Sequence, residues 1–160
     1  MGEGLTIRAA AEADVGTLFG LILELAEYEK LTQAVRGDAE ALRRSLFEEE
    51  AAEALIVEDG GEAIGYAIFF PAFSTFECRS GLWIEDVYVR PDRRRGGIGR
   101  VVMEHLAALA LERGHVRLEW CALDWNEPAL RFYDKLGATR LDDWKLLRLE
   151  RDGMRELAGR

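Results

Sequence analysis

Apolar residues recur at helical spacing along residues 14–30, where Leu18, Leu21, Ile22 and Leu25 form one stripe. This is the pattern of a helix that buries a single face. A short apolar run at residues 5–8 predicts a strand before it. Gly37 and Asp38 supply a cap ahead of Leu42 and Leu46, which predict a second, shorter amphipathic helix with a solvated acidic end. Two branched and aromatic runs, residues 53–58 and 63–70, flank Asp59, Gly60 and Gly61. That arrangement predicts an antiparallel hairpin around a glycine turn.

Residues 81–89 predict the next strand, and residues 100–114 a helix with Val102, Leu106, Leu109 and Ala110 on one face and Gly114 as its stop. Another strand is expected at residues 116–122. Asn126 is a candidate N-cap, Pro128 falls in the first turn where its missing N–H costs nothing, and Gly137 ends the helix that follows. Residues 145–152 predict a last strand, with a short tail helix after it. The order β-α-α-β-β-β-α-β-α-β, with no repeat or linker, predicts one α/β (α+β) domain over residues 1–160, built on a mixed sheet flanked by helices.

Composition supports a packed chain of 160 residues: 49% hydrophobic residues are too many for disorder. Net charge changes the picture more. The chain carries −9 overall, yet residues 90–100 hold five arginines against the single acid Asp92, so the remainder is more acidic than the total. Broad binding to nucleic acid is disfavoured, because phosphates reward extended basic faces. A small anionic ligand beside a cationic one fits better. Cys78 and Cys121 have no metal or disulfide spacing and read as reduced thiols of a cytoplasmic protein. No apolar run approaches the length of a membrane span, and residues 1–10 lack the pattern of a secretory signal. His105 and His115 read as structural or surface residues, and no metal site is expected. Trp83, Trp120, Trp125 and Trp144 are expected to pack first, as large aromatics usually do.

The chemistry concentrates in VYVRPDRRRGGIGR, residues 87–100. A strand leads into it and a helix leaves near Gly99, so the first helical N–H groups point into the loop and form an anion site. Gly96, Gly97 and Gly99 let the backbone approach oxygen atoms, and arginines give charge-assisted hydrogen bonds to phosphate. A P-loop is excluded because no GxxxxGK pattern is present, and a dinucleotide fingerprint from Gly97 fails at Val102.

Arg94, Gly97 and Gly99, read as RxxGxG, resemble the acetyl-coenzyme A signature of the GNAT N-acetyltransferase family, and WNEPALRFYDKLGA resembles the family's second cofactor segment. With ELAEYEKL and IEDVYV, the chain resembles the diamine branch, similar to spermidine/spermine and thialysine N-acetyltransferases, over nearly its whole length. The resemblance implies a GNAT-like, mostly antiparallel sheet and acetyl-CoA as co-substrate. It implies that Val87, Tyr88 and Val89 lie along the pantetheine, that Arg94, Arg95, Gly96, Gly97, Ile98, Gly99 and Arg100 wrap the pyrophosphate, and that Asn126 also meets the cofactor. It makes Tyr133 the general acid and Glu85 the residue that contacts the amine and draws off its proton. Tyr28, Glu29, Glu119, Trp120 and Cys121 fall at substrate-lining positions, and Asp86 adds negative charge near the amine.

The expected activity is direct acetyl transfer to a primary amine of a small cationic acceptor, either a polyamine or diamine or a thialysine-like amino acid. A homodimer is expected, with neither nucleic acid nor membrane as partner. A peptide acetyltransferase and a non-catalytic acetyl-CoA-binding module are the alternatives. Holding both Glu85 and Tyr133 argues against the module.

Overall fold

The computed structural model describes residues 4–160, the side chain of Arg95 excepted. They form two compact units, residues up to Cys121 and Ala122–Arg160. The first unit holds a five-stranded sheet in the order β1 (Leu5–Ala9), β2 (Glu53–Asp59), β3 (Glu62–Ser74), β4 (Arg79–Val89), β5 (Leu118–Trp120). The first three pairings are antiparallel and β4 with β5 is parallel. The hairpin turn between β2 and β3 places Gly60 and Gly61 at φ 61° and 83°, the left-handed pair that a tight hairpin needs.

α1 (Val15–Tyr28) and α2 (Ala39–Phe47) pack on one face of the sheet. Leu18, Leu21 and Leu46 meet Ile56, Tyr66, Ile68 and Tyr88 there, and the predicted stripe is the buried one. Asp38 caps α2 by accepting from the Ala41 N–H at 2.8 Å, as its position suggested. α3 (Ile98–Glu112) buries Val102, Met103, Leu106 and Ala110 and packs against β4. At its end Arg113 lies over the ring of Phe69, whose side chain alternates to the face opposite Ile68.

The second unit contains α4 (Glu127–Leu136) and α5 (Arg151–Leu157). Gly137 closes α4 in the left-handed conformation at φ 88°. The strand expected at residues 145–152 does not form. The segment before α5 is irregular, and Leu146, Leu147 and Leu149 are exposed rather than paired. A strand exists only against a partner, and among the described residues no strand pairs with this segment. Of the tryptophans expected to pack in the core or at an interface, Trp125 and Trp144 are exposed and lie outside the core. β5 is shorter than expected, three residues against seven. No helix among the described residues is long and apolar enough to cross a membrane.

Candidate active site

β4 carries most of the candidate site because its pairing is irregular on both sides. Against β3, Asp86 stands opposite Ile68 and Ile84 opposite Phe69, which leaves Glu85 as the extra residue of a β-bulge. Against β5, pairing covers only Leu82, Trp83 and Ile84. β4 then runs on to Val89 with no strand on that side among the described residues. Residues Glu85 to Val89 therefore present an open backbone edge, the kind that accepts an extended ligand by main-chain hydrogen bonds.

The chain leaves β4 through two 3₁₀ turns and enters α3. Gly96 and Gly97 adopt φ 78° and 80°, and a Cβ on either would meet nothing within 4 Å. Glycine is thus required there by conformation and not by crowding. Gly97 is the N-cap of α3 and has no side chain to bond the first-turn N–H groups, so these are directed at the loop.

The four arginines whose side chains are described divide by partner. Arg90 bonds Glu24 at 2.8 Å and Glu62 at 3.0 Å, and Arg93 bonds Glu62 at 2.7 Å and Asp59 at 3.3 Å. These two tie the loop to α1 and to the hairpin turn, and their charge is met by protein carboxylates. Arg100 lies 3.5 Å from Glu104, an exposed pair one turn apart. Arg94 has no carboxylate partner among the described residues. Its Nε donates to the Val89 carbonyl at 2.8 Å, and its guanidinium sits 4.4 Å above the Tyr28 ring and 5.8 Å from that of Tyr88. The expected role of the Arg95 side chain lies outside the described residues. Val87 is half-buried, whereas Tyr88 and Val89 are buried, and Tyr88 donates its hydroxyl to Glu24 at 3.3 Å.

An acidic group lies at the bulge. Glu29, the C-cap of α1 directly after Tyr28, is raised above the ordinary carboxylate range, first by burial and then by the charge of Asp86. Asp86 is raised chiefly by burial; a hydrogen bond from Tyr66 at 3.0 Å works against this and the Glu85 charge adds to it. Glu85 is exposed and accepts from the Trp83 indole at 3.0 Å. Glu29, Glu85 and Asp86 have no cationic partner among the described residues. Glu119 differs: Arg117 Nε donates to it at 2.7 Å, so its charge is already met. Trp120 is half-buried at the end of β5, and Cys121 is an exposed free thiol.

In the second unit Asn126 is 8% exposed and caps α4, its Oδ1 accepting from the Ala129 N–H at 3.3 Å. Tyr133 is a half-buried residue of α4 with its ring 5.2 Å from that of Phe132. Sequence reasoning missed Tyr66, whose only signal was a hydroxyl in an otherwise apolar run, and it missed Glu24, Asp59 and Glu62 as anchors of the arginine loop.

Residues 22–138 match the model of the acetyltransferase (GNAT) family, well over half of the chain. The chain belongs to the GNAT acetyltransferases. This acetyltransferase is 39% identical to the thialysine N-epsilon-acetyltransferase of Bos taurus over 96% of its own length and 97% of the relative's. It is 36% identical to the L-ornithine N5-acetyltransferase of Arabidopsis thaliana, over 58% of its length and 41% of that protein's. Among solved structures, an integron cassette protein from the mobile metagenome of V. cholerae superposes with a TM-score of 0.81 at 25% identity, covering 98% of the acetyltransferase and 99% of the other chain. The family generally uses acetyl-CoA, and the GNAT-like sheet expected from the sequence is the one observed, with one strand fewer.

Proposed function

We propose that this acetyltransferase moves the acetyl group of acetyl-CoA directly to a primary amine of a small cationic acceptor, a diamine or polyamine or a thialysine-like amino acid. The observation that carries the reading is the set of three carboxylates, Glu29, Glu85 and Asp86, that have no cationic partner among the described residues and lie at the bulge where the open edge of β4 begins. Glu29 and Asp86, pushed up by burial and by neighbouring negative charge, are relieved by a positive ligand. The two named relatives support the choice, since thialysine and ornithine both carry an amine on a side chain.

The residues fit the cofactor. The open edge at Val87, Tyr88 and Val89 offers main-chain groups to the pantetheine; the left-handed Gly96 and Gly97 and the first turn of α3 offer N–H groups to the pyrophosphate, with Arg94 as an unneutralised cation. Gly99, Arg100 and Asn126 complete that set in the family pattern. When bound, acetyl-CoA supplies a thioester carbonyl open to attack by an unprotonated amine. An alkylammonium has a pKa near 10.4, about that of lysine, so the site must first take a proton from it. Glu85, at the bulge, accepts that proton directly or through water. Tyr133 Oη holds the proton that the departing sulfur needs, a step worth about 10²–10⁴-fold in rate. Tyr28, Glu29, Trp120 and Cys121 line the acceptor side, and Glu119, bonded to Arg117, serves at its rim.

The same reading takes residues 1–160 as one acetyltransferase domain, because the family match runs across both units. It also takes the protein as a cytoplasmic homodimer with reduced cysteines, the exposed Trp144, Leu146 and Leu147 being apolar surface that a second copy would cover. Acetyl transfer measured over a panel of polyamines, amino-acid analogues and peptides at several salt concentrations tests it. For a diamine kcat/KM should fall as salt rises, and should fall in Glu85→Gln, while an uncharged amine responds little. A preference for acidic peptides, or equal salt sensitivity for charged and uncharged acceptors, would transfer the activity to protein substrates.

A further inference from the structure

Tyr66 is a fully buried tyrosine with no part in the roles assigned above. Its ring is packed among Leu18, Leu21, Ile56 and Ile68, with the Tyr88 ring 6.1 Å away, a place that phenylalanine would fill equally well. A buried hydroxyl costs free energy unless it is used. The pairing explains its use: Tyr66 stands opposite Tyr88 and Asp86 opposite Ile68 on the same face, so the phenol reaches diagonally from β3 to β4. It donates to Asp86 Oδ2 at 3.0 Å.

Among the described residues, the titratable groups that act on Asp86 are Tyr66 from β3, Glu29 from the end of α1, and Glu85 beside it on β4. None is a cation. Burial and the Glu85 charge both favour the neutral acid, and the tyrosine hydroxyl is the one influence that favours the anion. The phenol keeps its own proton, since burial and then the Asp86 charge push it far above the usual tyrosine value. Tyr66 is thus a fixed donor and not an acid catalyst.

We propose that Tyr66 is a positioning residue for acceptor capture: by donating to Oδ2 it sets the direction of the Asp86 carboxylate and favours its anion, leaving Oδ1 to receive an ammonium group of the acceptor. This rests on the amine-acetyltransferase reading above. It explains why a tyrosine occupies a core position, and it makes the charge of the acceptor site depend on one buried hydrogen bond. The same bond gives the acidic side of the pH profile a structural origin, because protonating Asp86 removes the anion that the acceptor meets.

Tyr66→Phe tests it, with thermal unfolding to verify the fold and ¹³C-carboxyl NMR to follow Asp86. The Asp86 titration should move up by about one pH unit, the size of a hydrogen bond to a charged group. The acidic limb of kcat/KM for a diamine should move with it, and at a pH on that limb the diamine KM should rise several-fold to about tenfold with kcat nearly unchanged. A weakly basic amine that is uncharged at that pH should keep its KM. In an Asp86→Asn background Tyr66→Phe should add no further effect on KM. An unchanged Asp86 titration, or a KM effect that persists in the Asp86→Asn background, overturns the inference alone. Failure of the wild-type enzyme to acetylate any amine overturns the function, while the Asp86 titration still reads the hold of Tyr66 on the carboxylate.

Discussion

Gly65→Ala is the substitution that the sheet geometry singles out. A Cβ at residue 65 would overlap the carbonyl oxygen of Tyr88, and it would stand 3.1 Å from Val89 Cα and 3.3 Å from the Tyr88 carbonyl carbon. All three are backbone atoms of β4, so no side chain can rotate away and β4 itself must move. Relief by about an ångström of strand shift is overpacking of the kind that costs about 1–3 kcal/mol. For a chain of this length that is a fall in Tm of roughly 2–12 °C. The displaced residues are the ones whose open edge is assigned to the pantetheine, so weakening one or two main-chain hydrogen bonds should also raise the Kd for coenzyme A about tenfold. Differential scanning calorimetry and titration calorimetry read the two effects separately. Gly20→Ala supplies the control, since Gly20 lies exposed within α1 with nothing within 4 Å of its would-be Cβ. The same chemical change there should stabilise by about 0.4–1 kcal/mol. A Gly65→Ala protein with wild-type Tm and wild-type coenzyme A affinity would refute both the close approach and the placement of the cofactor along β4.

Tyr133→Phe should lower kcat at least about tenfold with the amine KM nearly intact, because only the donated proton is lost; wild-type turnover would return Tyr133 to packing beside Phe132. Arg94→Ala should weaken coenzyme A binding about tenfold by removing an unneutralised cation, and should cost about 1 kcal/mol through the lost contact over Tyr28. Unchanged affinity in calorimetry would assign Arg94 to holding Tyr28 alone. Acid stability should depend on Asp14, whose carboxyl is drawn down to about 2 by hydrogen bonds from Arg8 at 2.6 and 2.9 Å. Its contribution is present above its unfolded pKa of about 3.9 and is lost as the pH falls toward the folded value. Urea midpoints measured between pH 2 and 5 should therefore converge for Asp14→Asn and wild type at the acid end and separate above it, and parallel curves would contradict the assignment.

What could be read beforehand were features with a local cause. The stripe at Leu18 and Leu21, the glycine turn at residues 60 and 61, the Asp38 cap and the Gly137 stop each follow from a few neighbouring residues, and each is where the sequence puts it. The glycine loop before α3 was legible for the same reason. Its arginines were legible as a cluster only, because which of them are neutralised depends on Glu24, Asp59 and Glu62, remote in sequence and close only once the hairpin meets α1. The bulge at Glu85 was hidden because it is a property of two strands in register and not of either alone. Residues 145–152 misled for the converse reason: an apolar run is compatible with a strand, but pairing decides, and here the leucines remain in solvent.

The early parting of β4 from β5 also bears on unwanted pairing with other chains. A sheet margin normally invites a stranger's strand, and natural sheets discourage this with charge, proline or very short margins. Here the unpaired stretch starts at a bulge that twists the backbone, next to uncompensated carboxylates, and it ends in an arginine–glycine loop. A polypeptide arriving there would need to follow a kinked line between regions of opposite charge, with side chains on both of its faces. The cofactor proposed for this edge, a slender thread with amides, few branches and a pyrophosphate at one end, would meet neither obstacle. The edge proposed to receive the cofactor is in this way unfavourable to the commonest route of misassembly.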